Sequence, residues 1–163
     1  QYAEAPAELA ELPVGAPFGQ VQAAKDKCTL CMACVQVCPT RALSDGDGKP
    51  QLNFTEDLCV QCGLCQTACP EGALTLEPRF LFDWGQRRRP QVLNEEEPFC
   101  CLSCGKPFAT NSVIGRMMER LQGHAMFKTE AELRRLQLCG DCRVIDAFAA
   151  EMGEPSKPKV YGQ

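Results

Sequence analysis

Cys28-Thr-Leu-Cys31-Met-Ala-Cys34-Val-Gln-Val-Cys38-Pro39 and Cys59-Val-Gln-Cys62-Gly-Leu-Cys65-Gln-Thr-Ala-Cys69-Pro70 are the stretches on which the fold turns. They stand 31 residues apart, and at that offset Ala42 and Leu43 fall on Ala73 and Leu74, and Asp26 on Asp57. The apolar pair Val21 and Ala23 falls on Leu52 and Phe54. Self-similarity of this density marks an internal repeat. Each half reads as a short strand, a cysteine loop with a turn of helix, and a second short strand, and the halves are expected to pack face to face. Between them, Ser44-Asp-Gly-Asp-Gly-Lys-Pro50 is a turn by composition.

The spacing Cys-x2-Cys-x2-Cys-x3-Cys-Pro has a chemical reading. Three closely spaced thiolates wrap one iron-sulfur cube, and the fourth, sent the other way by the proline, reaches the cube of the other half. The ligand sets are therefore expected to cross: Cys28, Cys31, Cys34 and Cys69 around one [4Fe-4S] cluster, Cys59, Cys62, Cys65 and Cys38 around the other. The residues between them, such as Leu30, Met32, Val35, Val37, Gly63 and Leu64, are small or apolar. Such residues exclude water and leave backbone N–H groups free to donate to sulfur. On these motifs residues 21–80 resemble a bacterial two-[4Fe-4S] ferredoxin. The resemblance implies an α+β fold with pseudo-twofold symmetry and the carriage of single electrons.

Composition agrees with metal ligation. The 163 residues include 13 cysteines but only one Trp, two Tyr and eight Phe, too few aromatic groups for a large conventional core. An odd cysteine count at tight spacings favours metal over a disulfide scaffold. The net charge of −4 is spread thinly. Residues 1–20 carry three acids and no base, while residues 99–163 carry nine bases and seven acids. Neither resembles the basic face of a nucleic-acid-binding protein. No apolar run is long enough to span a membrane. Many reduced cysteines point to a cytoplasmic location. The sequence opens on Gln1 rather than Met, so its beginning is expected to have been removed by processing or truncation, and the protein is separately expected to be part of a longer chain or a complex.

Four regions follow: an arm or linker at 1–20, the repeat at 21–80, a charged linker at 81–98 and a mainly helical module at 99–163. The linker holds Arg87-Arg-Arg-Pro90 and Glu95-Glu-Glu-Pro98; its arginines are expected to be solvated. Phe80, Phe82 and Trp84 alternate as a strand would. In the module, Val113, Ile114, Met117, Met118 and Leu121 share a helical face that stops at Gly123. Thr129-x-x-Glu132 is a capping box opening a second helix through Leu133 and Leu136. A third helix is expected after Asp141, burying Val144, Ile145, Phe148 and Met152 and stopping at Gly153 and Pro155.

The same module carries a second cysteine set. Cys101-Leu-Ser-Cys104-Gly-Lys-Pro-Phe108 is similar to a zinc knuckle, and Cys139-Gly-Asp-Cys142 sits where a helix should begin, an end that stabilises thiolate. Four thiolates from Cys101, Cys104, Cys139 and Cys142 make a zinc site the simplest assignment; a third iron-sulfur cluster or a redox-active thiol set stays open. Cys100 is expected to be a spare buried thiol, or else to replace Cys101 by a Cys-x3-Cys spacing. His124 is read as a hydrogen-bonded structural histidine before a fourth ligand. With Gly123-His-x-Met-Phe127 and Cys139-x-Asp-Cys142-Arg143, the module is similar to the carboxy-terminal part of long bacterial 4Fe-4S proteins accompanying formate-dehydrogenase-type oxidoreductases.

No glycine-rich nucleotide loop and no nucleophile–base pair can be named. The expectation is a non-catalytic electron carrier or oxidoreductase subunit working between redox protein partners, with two [4Fe-4S] clusters and one zinc. The rival expectations are an iron-sulfur and zinc regulatory or nucleic-acid-binding protein, and a thiol–disulfide redox protein.

Overall fold

The computed structural model describes residues 8–152. The chain divides into two compact units, Gln1–Glu96 and Glu97–Gln163.

In the first unit the repeat supplies the frame. Its first half runs from strand β2 (Gly19–Ala23) through a cysteine loop and helix α1 (Ala33–Gln36) to β3 (Leu43–Asp45). Its second half runs from β4 (Gln51–Phe54) through a 3₁₀ turn at Glu56–Leu58 and helix α2 (Leu64–Ala68) to β5 (Leu74–Leu81). The strands pair between halves: β2 lies antiparallel to β5 with Val21 opposite Leu76, and β3 antiparallel to β4 with Leu43 opposite Phe54. Exchanging the halves turns one pairing into the other. Alternation along β4 sends Leu52 and Phe54, each 1% exposed, to the same side as Val21 and Leu43, and these residues with Leu30 and Leu74 form the core.

Two expectations about the flanks are corrected. The arm contributes β1 (Leu9–Glu11), which pairs with the far end of β5, Leu9 opposite Leu81; its first seven residues lie outside those described. The segment expected as a charged linker is ordered: α3 (Trp84–Arg88) starts on the Asp83 carboxylate, which accepts from the Gln86 amide, and β6 (Gln91–Glu95) adds to the open edge of β4. Trp84 therefore opens a helix instead of continuing a strand. Arg87 is not solvated; it is 4% exposed, with its guanidinium over the rings of Phe80 and Trp84 at 4.5 and 5.0 Å. A planar cation stacked on aromatic faces can be buried where an ammonium would not.

The second unit begins with the hairpin β7 (Pro98–Cys100) and β8 (Pro107–Thr110). Helix α4 (Asn111–Leu121) follows, its N-terminus capped by the Thr110 hydroxyl. The capping box forms as expected and opens α5 (Glu130–Arg134), whose end runs into a 3₁₀ turn at Arg135–Gln137. Helix α6 (Gly140–Met152) has the opposite rotation from that expected. Val144, Ile145, Phe148 and Met152 are 69, 46, 64 and 67% exposed. Half-buried Cys142 and Asp146 set the rotation instead: Cys142 belongs to the cysteine cluster and Asp146 accepts from Arg135 at 2.8 Å, while exposed Arg143 donates to the Arg135 and Leu138 carbonyls. The expected stop at Gly153 and Pro155 lies outside the described residues.

Candidate functional site

In the first unit the two cysteine loops share an unusual backbone. Leu30, Met32 and Arg41 have φ of 53, 60 and 56°, and their repeat partners Gln61, Gly63 and Gly72 have 52, 80 and 57°. A left-handed conformation outside glycine costs about 1–2 kcal/mol, so four of these six residues are held there against preference. Left-handed residues two apart, Leu30 and Met32 or Gln61 and Gly63, are a backbone feature of the anion nests found at iron-sulfur sites.

Each of two pockets gathers cysteines from both halves. One pocket is lined by Cys28, Cys31, Cys34 and Cys69 together with Leu30, Met32, Leu52, Leu74 and Glu71. The other is lined by Cys38, Cys59, Cys62 and Cys65 together with Val21, Thr40, Leu43 and Phe54. Three cysteines of one motif thus meet the fourth of the other. Cys34 and Cys65 are buried, Cys31 and Cys62 exposed. Backbone and side-chain donors reach the sulfurs: Ala73 N to Cys69 Sγ at 3.3 Å, and Gln61 Nε2 to Cys59 Sγ at 3.4 Å.

The sulfurs repel one another as thiolates. Burial first, then the neighbouring Cys28, Cys31, Cys65 and Cys69, pushes the Cys34 thiol up to about 12. Burial likewise leads in raising Cys59 and Cys65. For Cys38 burial is opposed and outweighed by the backbone N–H groups of Leu43, Thr40 and Ala42 and by the Thr40 hydroxyl, and the thiol is lowered. Crowded, buried sulfurs of this kind become thiolates when a polycationic metal core neutralises them. The residues therefore fit [4Fe-4S] clusters in ligand number, ligand chemistry and hydrogen-bond donors to sulfur.

The second unit brings its four expected cysteines together more tightly. The sulfurs of Cys101, Cys104, Cys139 and Cys142 all lie within 4.8 Å of one another, the only His, Cys, Asp or Glu group so placed among the described residues. Cys104 Sγ and Cys139 Sγ are 3.7 Å apart. A tetrahedral ion with metal–sulfur bonds of about 2.3 Å requires edges of about 3.8 Å. A cube of irons and sulfides sits inside its thiolates and forces them farther apart. The knuckle turns on Gly105, φ 73°. Cys101 Sγ accepts from Ser103 N at 3.4 Å and from Cys139 N at 3.3 Å. Burial would raise the Cys101 thiol, but the N–H groups of Cys139, Cys104 and Ser103 bring it down to about 6. Burial and the neighbouring sulfurs push Cys142 up to about 12.

Two remaining candidates stand apart from this group. Cys100 ends β7 and is exposed, not buried as expected, because a bulge at Phe99/Cys100 turns it from the cluster that holds Cys101. His124 is exposed and its Nδ1 accepts from Met126 N at 3.2 Å, a local turn bond. The sequence reading missed Gln61 and Thr40 beside the sulfurs and the buried pair of Glu56 and Arg79 just before Cys59, joined at 3.2 and 2.6 Å. The mismatches within the repeat, Leu30 against Gln61 and Thr40 against Glu71, were the available signal.

No helix among the described residues is long and apolar enough to cross a membrane. No curated protein matches the chain. Residues 27–73 match a family described as the 4Fe-4S dicluster domain, a type of domain that binds iron-sulfur clusters and carries electrons.

Proposed function

We propose that this chain relays single electrons between redox protein partners through two [4Fe-4S] clusters on a pseudo-twofold ferredoxin fold, and that its second unit is braced by one zinc ion. The carrying observation is the composition of the two pockets, each lined by three cysteines of one motif and the fourth of the other. Cys28, Cys31, Cys34 and Cys69 would hold the first cluster, and Cys59, Cys62, Cys65 and Cys38 the second. Bound there, each cluster supplies a one-electron couple. The protein contributes the rest: Leu30, Leu52, Phe54 and Leu74 keep water out, the left-handed loops aim N–H groups at sulfur, and exposed Cys31 and Cys62 carry each site to the surface.

The 3.7 Å sulfur edge favours a mononuclear ion, hence zinc over a third cluster, at Cys101, Cys104, Cys139 and Cys142. The chain is an electron carrier or non-catalytic subunit in this reading. Formate-dehydrogenase-type oxidoreductases are the candidate partners on the resemblance of the module's motifs, and thirteen free cysteines suit the reducing cytoplasm.

Iron, acid-labile sulfide and zinc per chain, measured on anaerobically purified protein, test both assignments. About eight irons, eight sulfides and one zinc are expected. About twelve irons without zinc would make the second unit a further redox centre. Zinc in place of iron would overturn the electron-transfer reading.

A further inference from the structure

The two halves differ at the positions that face the sulfurs. Where the first half has Leu30 the second has Gln61, and where the first has Thr40 the second has Glu71. Gln61 donates from one nitrogen to two acceptors, Cys59 Sγ at 3.4 Å and the Gln20 carbonyl at 3.2 Å. That pair fixes the amide, since turning it over would set its oxygen against a carbonyl oxygen and a thiolate. The arrangement is held against opposition. Gln61 has a left-handed backbone, φ 52°, and its Oε1 is buried with no hydrogen-bond partner among the described residues. Gly19 makes the room: a Cβ there would lie 2.7 Å from Gln61 Cδ and 2.3 Å from the Glu77 carbonyl oxygen. Leu30, its counterpart, is 5% exposed in the apolar core and has no donor to offer.

The second mismatch points the same way. Thr40 Oγ1 lies 3.8 Å from Cys38 Sγ. A ligating thiolate has no hydrogen, so the hydroxyl is the donor. Glu71 instead lines the pocket of Cys28, Cys31, Cys34 and Cys69. Reduction adds negative charge to a cluster and its thiolates. Donors aimed at sulfur stabilise the reduced form and a nearby carboxylate opposes it.

We propose that Gln61 and Thr40 are positioning residues that make the Cys59, Cys62, Cys65 and Cys38 site the higher-potential member of the pair, so that a single electron entering the protein rests there. The inference depends on the crossed ligand sets proposed above. Electrons would then run from the Cys28 side to the Cys59 side, and a donor and an acceptor docking at opposite ends would see a directional wire.

The test is an anaerobic redox titration of the full chain, followed by electron paramagnetic resonance, on protein whose iron content has first been measured. The unsubstituted protein should show two separated one-electron steps. Gln61→Leu should lower the upper step by about tenfold in equilibrium constant, about 59 mV for one electron, and leave the lower step in place. Thr40→Val should move the upper step in the same direction by less. Glu71→Gln should raise the lower step and narrow the gap, which keeps the idea testable should Gln61→Leu fail to assemble. Coincident steps in the unsubstituted protein at full iron content would overturn the ordering while leaving the clusters intact. So would movement of the lower step by Gln61→Leu. Iron short of two cubes would overturn the ligand reading first and this ordering with it.

Discussion

The first unit buries Val21, Leu43, Leu52, Phe54 and Leu74 to 3% exposure or less beneath its cysteine loops. In the second unit the buried cluster at the four-cysteine group consists of Cys101, Leu138 and Cys139, with Cys104, Phe108 and Cys142 packed on it. Cys34 and Cys65 join a larger aliphatic and aromatic core in one, while cysteines make up most of the buried cluster around Leu138 in the other. Loops braced by two sheets line two pockets with four cysteines each, whereas the knuckle and the helix start bring two of their sulfurs to 3.7 Å. On the functional reading proposed above, the same ligand would serve a polynuclear centre in one unit and a single ion in the other. The outward stripe of α6 agrees, because Cys142 and not Phe148 sets that helix's rotation.

Removing the zinc proposed for the second unit should separate the two most widely. Structural zinc contributes about 10–16 kcal/mol of apparent folding free energy in small domains. Cys139→Ser, or a zinc chelator, should therefore abolish the helical signal of α4 and α6 while the iron-sulfur absorbance of the first unit persists. Circular dichroism and visible spectra on one sample decide it. Joint collapse would show that the units share their stability, and a second unit that stays helical would show that its core suffices without metal.

The first unit should instead be sensitive at a site that touches no metal. Glu56 is 2% exposed and bonded by Arg79 through two contacts, immediately before the second cysteine loop. Arg79→Met strands a buried carboxylate and should destabilise the unit by about 3–5 kcal/mol. Adding Glu56→Gln should restore much of it. The exposed pair Lys49–Glu95, 52% exposed on each side, is the control and should matter by under about 1 kcal/mol. Anaerobic denaturant midpoints, followed by loss of visible absorption, rank the variants.

What could be read from sequence divides along the same line. The repeated cysteine loops and the Thr129–Glu132 capping box are local patterns; the loops carry left-handed residues at equivalent positions and the box forms. The burial of Arg87 and the strand at Gln91–Glu95 depend on partners far along the chain. Arg87 needs the rings of Phe18, Phe80 and Trp84, and β6 needs the free edge of β4 and the Asn94 amide donating to the Cys28 carbonyl at 3.2 Å. A run of charges gives no hint of either. The α6 stripe misled for the converse reason: its period was real, but four thiols outweighed it.

The smallest effect bears on why the two halves of the repeat are not equally strained. Arg41 and Gly72 occupy equivalent places just after the fourth cysteine of each motif and have φ of 56 and 57°. Glycine enters that region freely, and arginine does so at about 1 kcal/mol or more. Arg41 is exposed, so replacing it removes no buried packing. A Cβ at Gly72 would meet nothing within 4 Å, so a side chain there adds backbone strain and no collision. Arg41→Gly should accordingly stabilise the first unit and Gly72→Ala destabilise it, each by about 1 kcal/mol. Opposite shifts of the denaturant midpoint would show that the left-handed conformation is imposed on both halves by the cysteine framework. A gain from Arg41→Gly without a loss from Gly72→Ala would mean that the second loop relaxes out of it, and that the first alone is held by its cysteines.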